Sequence, residues 1–151
     1  MHFGLYAAIR QVDSESGVWE MTTEKSRVPV SGSSLFHDAK LTFSVAPPWQ
    51  LEVWLDDGTV VEAQENDLFE CLVVVRRQLE LRGISLCCEG ARCDVYPSGM
   101  ARQMGGGRKA YRHFAGGEQR PQLVDIFAST DCSEICTVDE QLVSVRKLRH
   151  G

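Results

Sequence analysis

Nowhere in its 151 residues does this chain approach the roughly 18 consecutive apolar residues a helix needs to cross a membrane. Its longest apolar runs, such as Cys71 to Val75, which stops at Arg76, are only five residues, so we expect no membrane partner. The opening Met1-His2-Phe3-Gly4-Leu5-Tyr6 has no basic segment leading into an apolar stretch, so it does not read as a secretory signal. A cytoplasmic location follows as an expectation. Histidine is scarce: of four, His2 and His150 lie near the ends, leaving His37 and His113. A cysteine nucleophile needs a base beside it, and no local catalytic signature surrounds any cysteine. Pro97-Ser98-Gly99-Met100 is not the G-x-S-x-G elbow of the α/β-hydrolases, and Ser98 reads better as a helix cap. Internal repeats and low-complexity blocks are also missing. These absences argue against an enzyme.

What remains is an ordinary globular composition, 43% apolar and 25% charged, at a length that fits one domain over residues 1–151. Charge is unevenly placed. Residues 1–75 carry four Lys/Arg against twelve Asp/Glu, a net of −8, and residues 76–151 carry twelve against nine, a net of +3. The acidic half opposes general binding to nucleic acid, where phosphate contacts dominate affinity. Six cysteines, at 71, 87, 88, 93, 132 and 136, occur without a secretory signal in a chain large enough to build its own core. Reduced thiols, mostly serving as small core hydrophobes, are the expectation. Zinc at Cys88, Cys93, Cys132 and Cys136 is compatible with their spacing but not diagnosed by it, so no metal or cofactor is assigned.

Periodicity supplies the elements. Phe3 to Val12 and Gly17 to Thr23 are candidate strands, and Val28-Pro29-Val30 is extended. Trp49, Leu51, Val53 and Leu55 alternate with Gln50, Glu52 and Trp54, the period of a half-buried strand. Asp56-Asp57-Gly58 then turns the chain into a partner strand at Thr59 to Ala63. Asp67 with Glu70 opens a helix whose apolar stripe is Leu68, Leu72, Val75 and Leu79; Arg76, Arg77, Glu80 and Arg82 face outward and Gly83 ends it. Ile84 to Cys88 and Arg92 to Tyr96 are expected to pair across a tight Glu89-Gly90 turn. Ser98 caps a short helix, Leu123 to Phe127 is a strand, and Thr137 with Glu140 starts a last helix with Val138, Leu142, Val145 and Leu148 inward. Consecutive short hairpins predict an α+β fold: an antiparallel β-sheet with two main helices packed on one face.

Two stretches attract functional attention. Glu52, Asp56, Asp57 and Glu62 gather carboxylates around the central hairpin, with Trp54 on the same polar face, and complementary charge on a partner would speed encounter there. Trp54 is either an interface anchor or covered by the N-terminal segment. The second stretch runs from Ala91 to Arg120, where basic residues, among them Arg102, Arg108, Lys109 and Arg112, interleave with Tyr96, Tyr111, His113 and Phe114. Gly105-Gly106-Gly107 followed by Arg108-Lys109 suggests a phosphate loop, but no glycine directly precedes Lys109 and Ala110 stands where Ser or Thr is required. A flexible loop ending a helix is the simpler account.

The segment from Cys93 to Tyr111, with Asp94-Val95-Tyr96-Pro97-Ser98-Gly99-Met100 and the triple glycine, resembles a stretch found in small bacterial proteins, some of which look like immunity proteins of polymorphic toxin systems. That resemblance implies a compact, cytosolic, acidic protein that binds one cognate toxin domain and covers its active site. The leading expectation is therefore a protein-binding inhibitor with a toxin partner. Glu52, Trp54, Asp56, Asp57, Glu62, Arg102, Arg108 and Lys109 are its candidate contacts. The alternative is a small enzyme or nucleotide-binding domain with a phosphate-contacting loop at 104–109.

Overall fold

Alternating apolar residues build the main sheet. The computed structural model describes residues 22–32, 36–117 and 119–150; the strand expected over 3–12 and most of the one over 17–23 lie outside them. Strands β1 (Thr23–Ser31), β2 (Asp38–Ser44), β3 (Trp49–Trp54), β4 (Val60–Glu65) and β5 (Ser85–Leu86) form one antiparallel sheet in the order β4-β3-β2-β1-β5. The β3–β4 hairpin turns where Asp56-Asp57-Gly58 requires it: Gly58 has φ +89, and Leu55 N–H donates to Thr59 O at 2.9 Å. Leu41, Phe43, Leu51 and Val53 are buried on the core side.

The other side of β3 departs from the half-buried expectation. Gln50 and Glu52 are only 1% and 2% exposed. Residues on both faces of β3 are therefore buried, not only those on the core side. The Gln50 amide has no hydrogen-bond partner at either Nε2 or Oε1 among the described residues. A buried, unsatisfied amide costs more than an apolar group of the same shape. Gln50→Met is therefore expected to raise stability by about 1–2 kcal/mol in urea unfolding; an unchanged or lower midpoint would show that the amide is satisfied.

Helix α1 (Leu68–Glu80) packs on β3 and β4. Asp67 caps it by accepting from Glu70 N–H at 2.8 Å, and Leu68, Leu72, Val75 and Leu79 face the core. Arg76, expected at the surface, is 3% exposed. Its guanidinium donates to Gln141 Oε1 at 2.6 Å and to the carbonyls of Cys136 at 2.7 Å and Gly90 at 3.4 Å. Burial pushes its pKa down. Helical spacing puts Arg76 beside Leu72 and Leu79, and those carbonyls let the cation stay inside. The helix ends at a turn in which Gly83 has φ +73.

The hairpin expected across Glu89-Gly90 does not form. β5 pairs with β1, and residues Glu89–Ala91 make a 3-10 turn. Their donors are already engaged: Glu89 N–H bonds Ala128 O at 2.8 Å and Gly90 N–H bonds Ile126 O at 2.9 Å. A Cβ on Gly90 would crowd Leu72 and Ile126. The next strand, β6 (Val95–Tyr96), instead joins a second antiparallel sheet with β7 (Lys109–Arg112) and β8 (Gln122–Asp125), in the order β6-β7-β8.

Helix α2 (Gly99–Gly105) is capped by Ser98, whose Oγ accepts from Ala101 N–H at 3.0 Å. Helix α3 (Val138–His150) opens with a reciprocal capping box: Glu140 N–H donates to Thr137 Oγ1 at 3.1 Å and Thr137 N–H to Glu140 Oε1 at 2.8 Å. Strands and helices are mixed and every strand pairing is antiparallel, so the fold is α+β. No helix among the described residues is long and apolar enough to cross a membrane.

The expectation of reduced thiols is corrected. Cys87 is bonded to Cys132 and Cys93 to Cys136. Both bridges fasten the segment around β5 and β6 to the stretch that leads into α3. The four-cysteine zinc set cannot exist beside them, and among the described residues no three His, Cys, Asp or Glu are grouped to hold a metal ion.

Candidate functional site

The acidic candidates divide by depth. Asp56 and Asp57 are exposed at the tip of the β3–β4 hairpin. Each is fixed by its own chain: Asp56 Oδ2 accepts from His37 N–H at 3.0 Å and Asp57 Oδ1 from Thr59 N–H at 2.9 Å. The Thr59 hydroxyl and N–H hold the Asp57 carboxyl below its ordinary value. Glu52 is buried instead, and its Oε1 accepts from Trp54 Nε1 at 3.0 Å. Trp54 is half-buried, with Lys40 Nζ 5.6 Å above its ring. Glu62 stands opposite Glu52 on β4 and is half-buried. Of this group, only the two aspartates are fully exposed.

The basic candidates do not converge. Arg102 donates to Asp67 Oδ2 and to the Tyr96 hydroxyl, at 3.0 and 3.1 Å, and lies over the Phe69 and Tyr96 rings. Arg108 turns the other way, bonding Asp125 at 2.8 Å and Glu24 at 2.9 Å with its guanidinium 4.6 Å from the Phe43 ring centre. Burial opposes the Arg108 charge, but these carboxylates outweigh it and raise its pKa. Both arginines tie elements of the fold together. Lys109 is exposed.

The triple glycine is not a loose loop. Gly106 and Gly107 are buried, with φ +68 and +75. A Cβ on Gly106 would collide with the Trp49 indole, and one on Gly107 would crowd Asp67. Gly106 O accepts from Leu68 N–H at 2.6 Å. The glycines allow the end of α2 to seat against the start of α1, a packing role that needs no phosphate.

Reactive thiols are absent among the described residues. Cys71 and Cys88 are buried, and burial pushes their pKa values up to about 12 and about 11. Such thiols stay protonated and are poor nucleophiles.

A concave site does occur beside β6. A cleft of about 380 Å³ is lined by Tyr96, Pro97, Ser98, Tyr111, His113 and Val145. A smaller one of about 170 Å³ lies beyond Tyr96, between Phe69, Val73, Arg102 and Leu142. The first matches the interleaved aromatic stretch in the sequence, but its walls come from β6, β7 and α3. Helical spacing marked Val145 only as part of the apolar stripe of the last helix.

No protein-family model matches the chain, and no curated protein matches it either.

Proposed function

We propose that this chain is a protein-binding inhibitor, of the immunity type, which neutralises a cognate toxin domain by covering its active site. The observation that carries the reading is the hairpin tip. Asp56 and Asp57 stand side by side on a two-stranded arm, both exposed and both held in place by backbone donors. A preordered anionic knob loses little freedom on binding and steers a basic partner toward it. Lys109 would contribute at the rim of a second contact. Glu52, Trp54, Glu62, Arg102 and Arg108 would support these surfaces from behind. In this reading the two longer helices share one face of the sheet as a scaffold. Nucleic acid and membrane are not partners, and the chain is not an enzyme.

The alternative, a nucleotide-binding domain or small enzyme around 104–109, has weaker support. Arg102 and Arg108 are engaged with carboxylates, and Gly106 and Gly107 pack on Trp49 and Asp67. The two disulfides also favour a compartment that keeps thiols oxidised over the cytoplasm the sequence suggested. The toxin would then be met outside the cytoplasm.

The test is calorimetric titration with the protein encoded by the gene immediately upstream, expected to be the toxin. Asp56→Lys with Asp57→Lys is expected to weaken binding at least about tenfold, mostly through the association rate, with a shallower salt dependence. Equal affinity and equal salt dependence would remove the hairpin from the interface.

A further inference from the structure

We infer that the cleft beside β6 receives an aromatic side chain carried on an acidic segment of a partner protein. The inference rests on the protein-binding reading and assigns a second contact to it, remote in sequence from the hairpin.

The walls of the cleft come first. Tyr96 and Tyr111 are directly opposite each other across β6 and β7, with Pro97, His113 and Val145 completing an aromatic and apolar lining. Its volume of about 380 Å³ falls in the range of ordinary binding pockets. The Tyr111 hydroxyl and the His113 ring have no hydrogen-bond partner among the described residues. Both can serve an incoming polar edge. Tyrosine and tryptophan combine a large apolar body with one donor, which suits such a lining.

The apolar surface continues outside the cleft. On β8, Leu123 is the residue opposite Tyr111 and is 53% exposed, so Tyr96, Tyr111 and Leu123 form one row across the sheet. Met100, one residue past the lining Gly99, is 72% exposed. Isolated exposed apolar side chains are common, but a run of them around one concavity marks an interaction site.

Charge then selects the partner. The nearby acids are neutralised: Asp94 pairs with Arg92 and Arg112, and Asp125 with Arg108. Lys109 lies on the same face of β7 as Tyr111, and Arg146 follows Val145 on α3; both are exposed and have no ion-pair partner among the described residues. An apolar cleft with these cations beside it fits an acidic segment bearing an aromatic anchor. A single-stranded nucleic acid could also use rings and cations, but it needs an open stacking platform rather than a walled cleft.

The experiment is selection of a random peptide library displayed on phage against the full, oxidised chain, with counter-selection on Tyr111→Ser. Tyr111 is partly exposed, so this variant should keep the fold, and a circular dichroism melt would verify that. Enriched peptides are expected to carry Trp, Tyr or Phe among Asp and Glu. Their synthetic consensus should shift the NMR signals of Tyr96, His113 and Val145. Tyr111→Ser and Lys109→Glu should each weaken it by about tenfold or more, and Asp56→Lys with Asp57→Lys should leave it unchanged. Four outcomes would overturn the inference: no enrichment dependent on Tyr111, a basic consensus, shifts confined to other surfaces, or oligothymidylate binding the cleft more tightly than any peptide. If the consensus binds while the toxin does not, the inhibitor role alone is lost. If a toxin complex forms undisturbed by Tyr111→Ser, the cleft alone is lost.

Discussion

Gln141→Leu is expected to cost the protein about 3–5 kcal/mol, the largest effect of any single substitution considered. The Gln141 carboxamide is 1% exposed. Its Nε2 shares its two hydrogens among the carbonyls of Gly90, Arg92 and Val95, all at 2.8–2.9 Å, and its Oε1 accepts from Arg76 at 2.6 Å. One side chain from α3 therefore joins the 3-10 turn, the approach to β6 and the buried cation of α1. Leucine fills a similar volume but leaves three buried carbonyls without this donor and Arg76 with only backbone acceptors. A buried charge stripped of a partner is among the costliest defects a core can carry. Gln141→Glu would not rescue it, because a carboxylate could serve Arg76 but would face the three carbonyls without a donor. The exposed Gln78, changed to leucine, should shift the urea midpoint very little. A loss below about 1 kcal/mol in Gln141→Leu would mean that the network is replaceable.

Breaking a disulfide is the second large effect. Cys87–Cys132 and Cys93–Cys136 close loops with sequence separations of 45 and 43. Chain entropy puts the loss of one such cross-link at about 4 kcal/mol. The two loops interleave, so removing both should cost less than twice one. Cys93→Ser with Cys136→Ser should also loosen the start of α3, where Cys136 O accepts from Arg76. Thiol titration supplies the check. In denaturant without reductant, the thiols of Cys71 and Cys88 should react, and the other four only after reduction. Six reactive thiols under those conditions would remove the cross-links from the account.

These two sites also show where sequence reasoning ends. Features set within three or four residues could be read directly: Asp67 and Ser98 as caps, the reciprocal Thr137–Glu140 box, and the Asp57-Gly58 turn with its paired strands. Each depends on a side chain reaching its own neighbouring backbone. Arg76 and Gln141 are 65 residues apart; helical spacing set Arg76 beside Leu72 and Leu79, but the acceptors that let a cation stay inside lie far away in the sequence. The cysteines looked like core thiols because their partners lie more than forty positions away. Alternation marked the faces of β3 correctly, yet it could not show that Glu52 and Gln50 would be enclosed as well. For the candidate site, the exposed Asp56 and Asp57 were legible as a polar turn. Tyr96, Tyr111 and His113 were visible as interleaved aromatics, but their meeting in a cleft needed the β6–β7 pairing, which the expected Glu89-Gly90 hairpin had displaced. Arg102 and Arg108 looked available for a phosphate because their partners, Asp67, Asp125 and Glu24, were distant in the sequence.

The most direct test of the inhibitor reading is co-expression of the tagged chain with the product of the gene immediately upstream, followed by size-exclusion chromatography with light scattering on the oxidised protein. A stoichiometric complex that survives moderate salt, with the toxin's activity lost, is expected. A chain that elutes alone as a monomer, with the toxin fully active beside it, would contradict the reading.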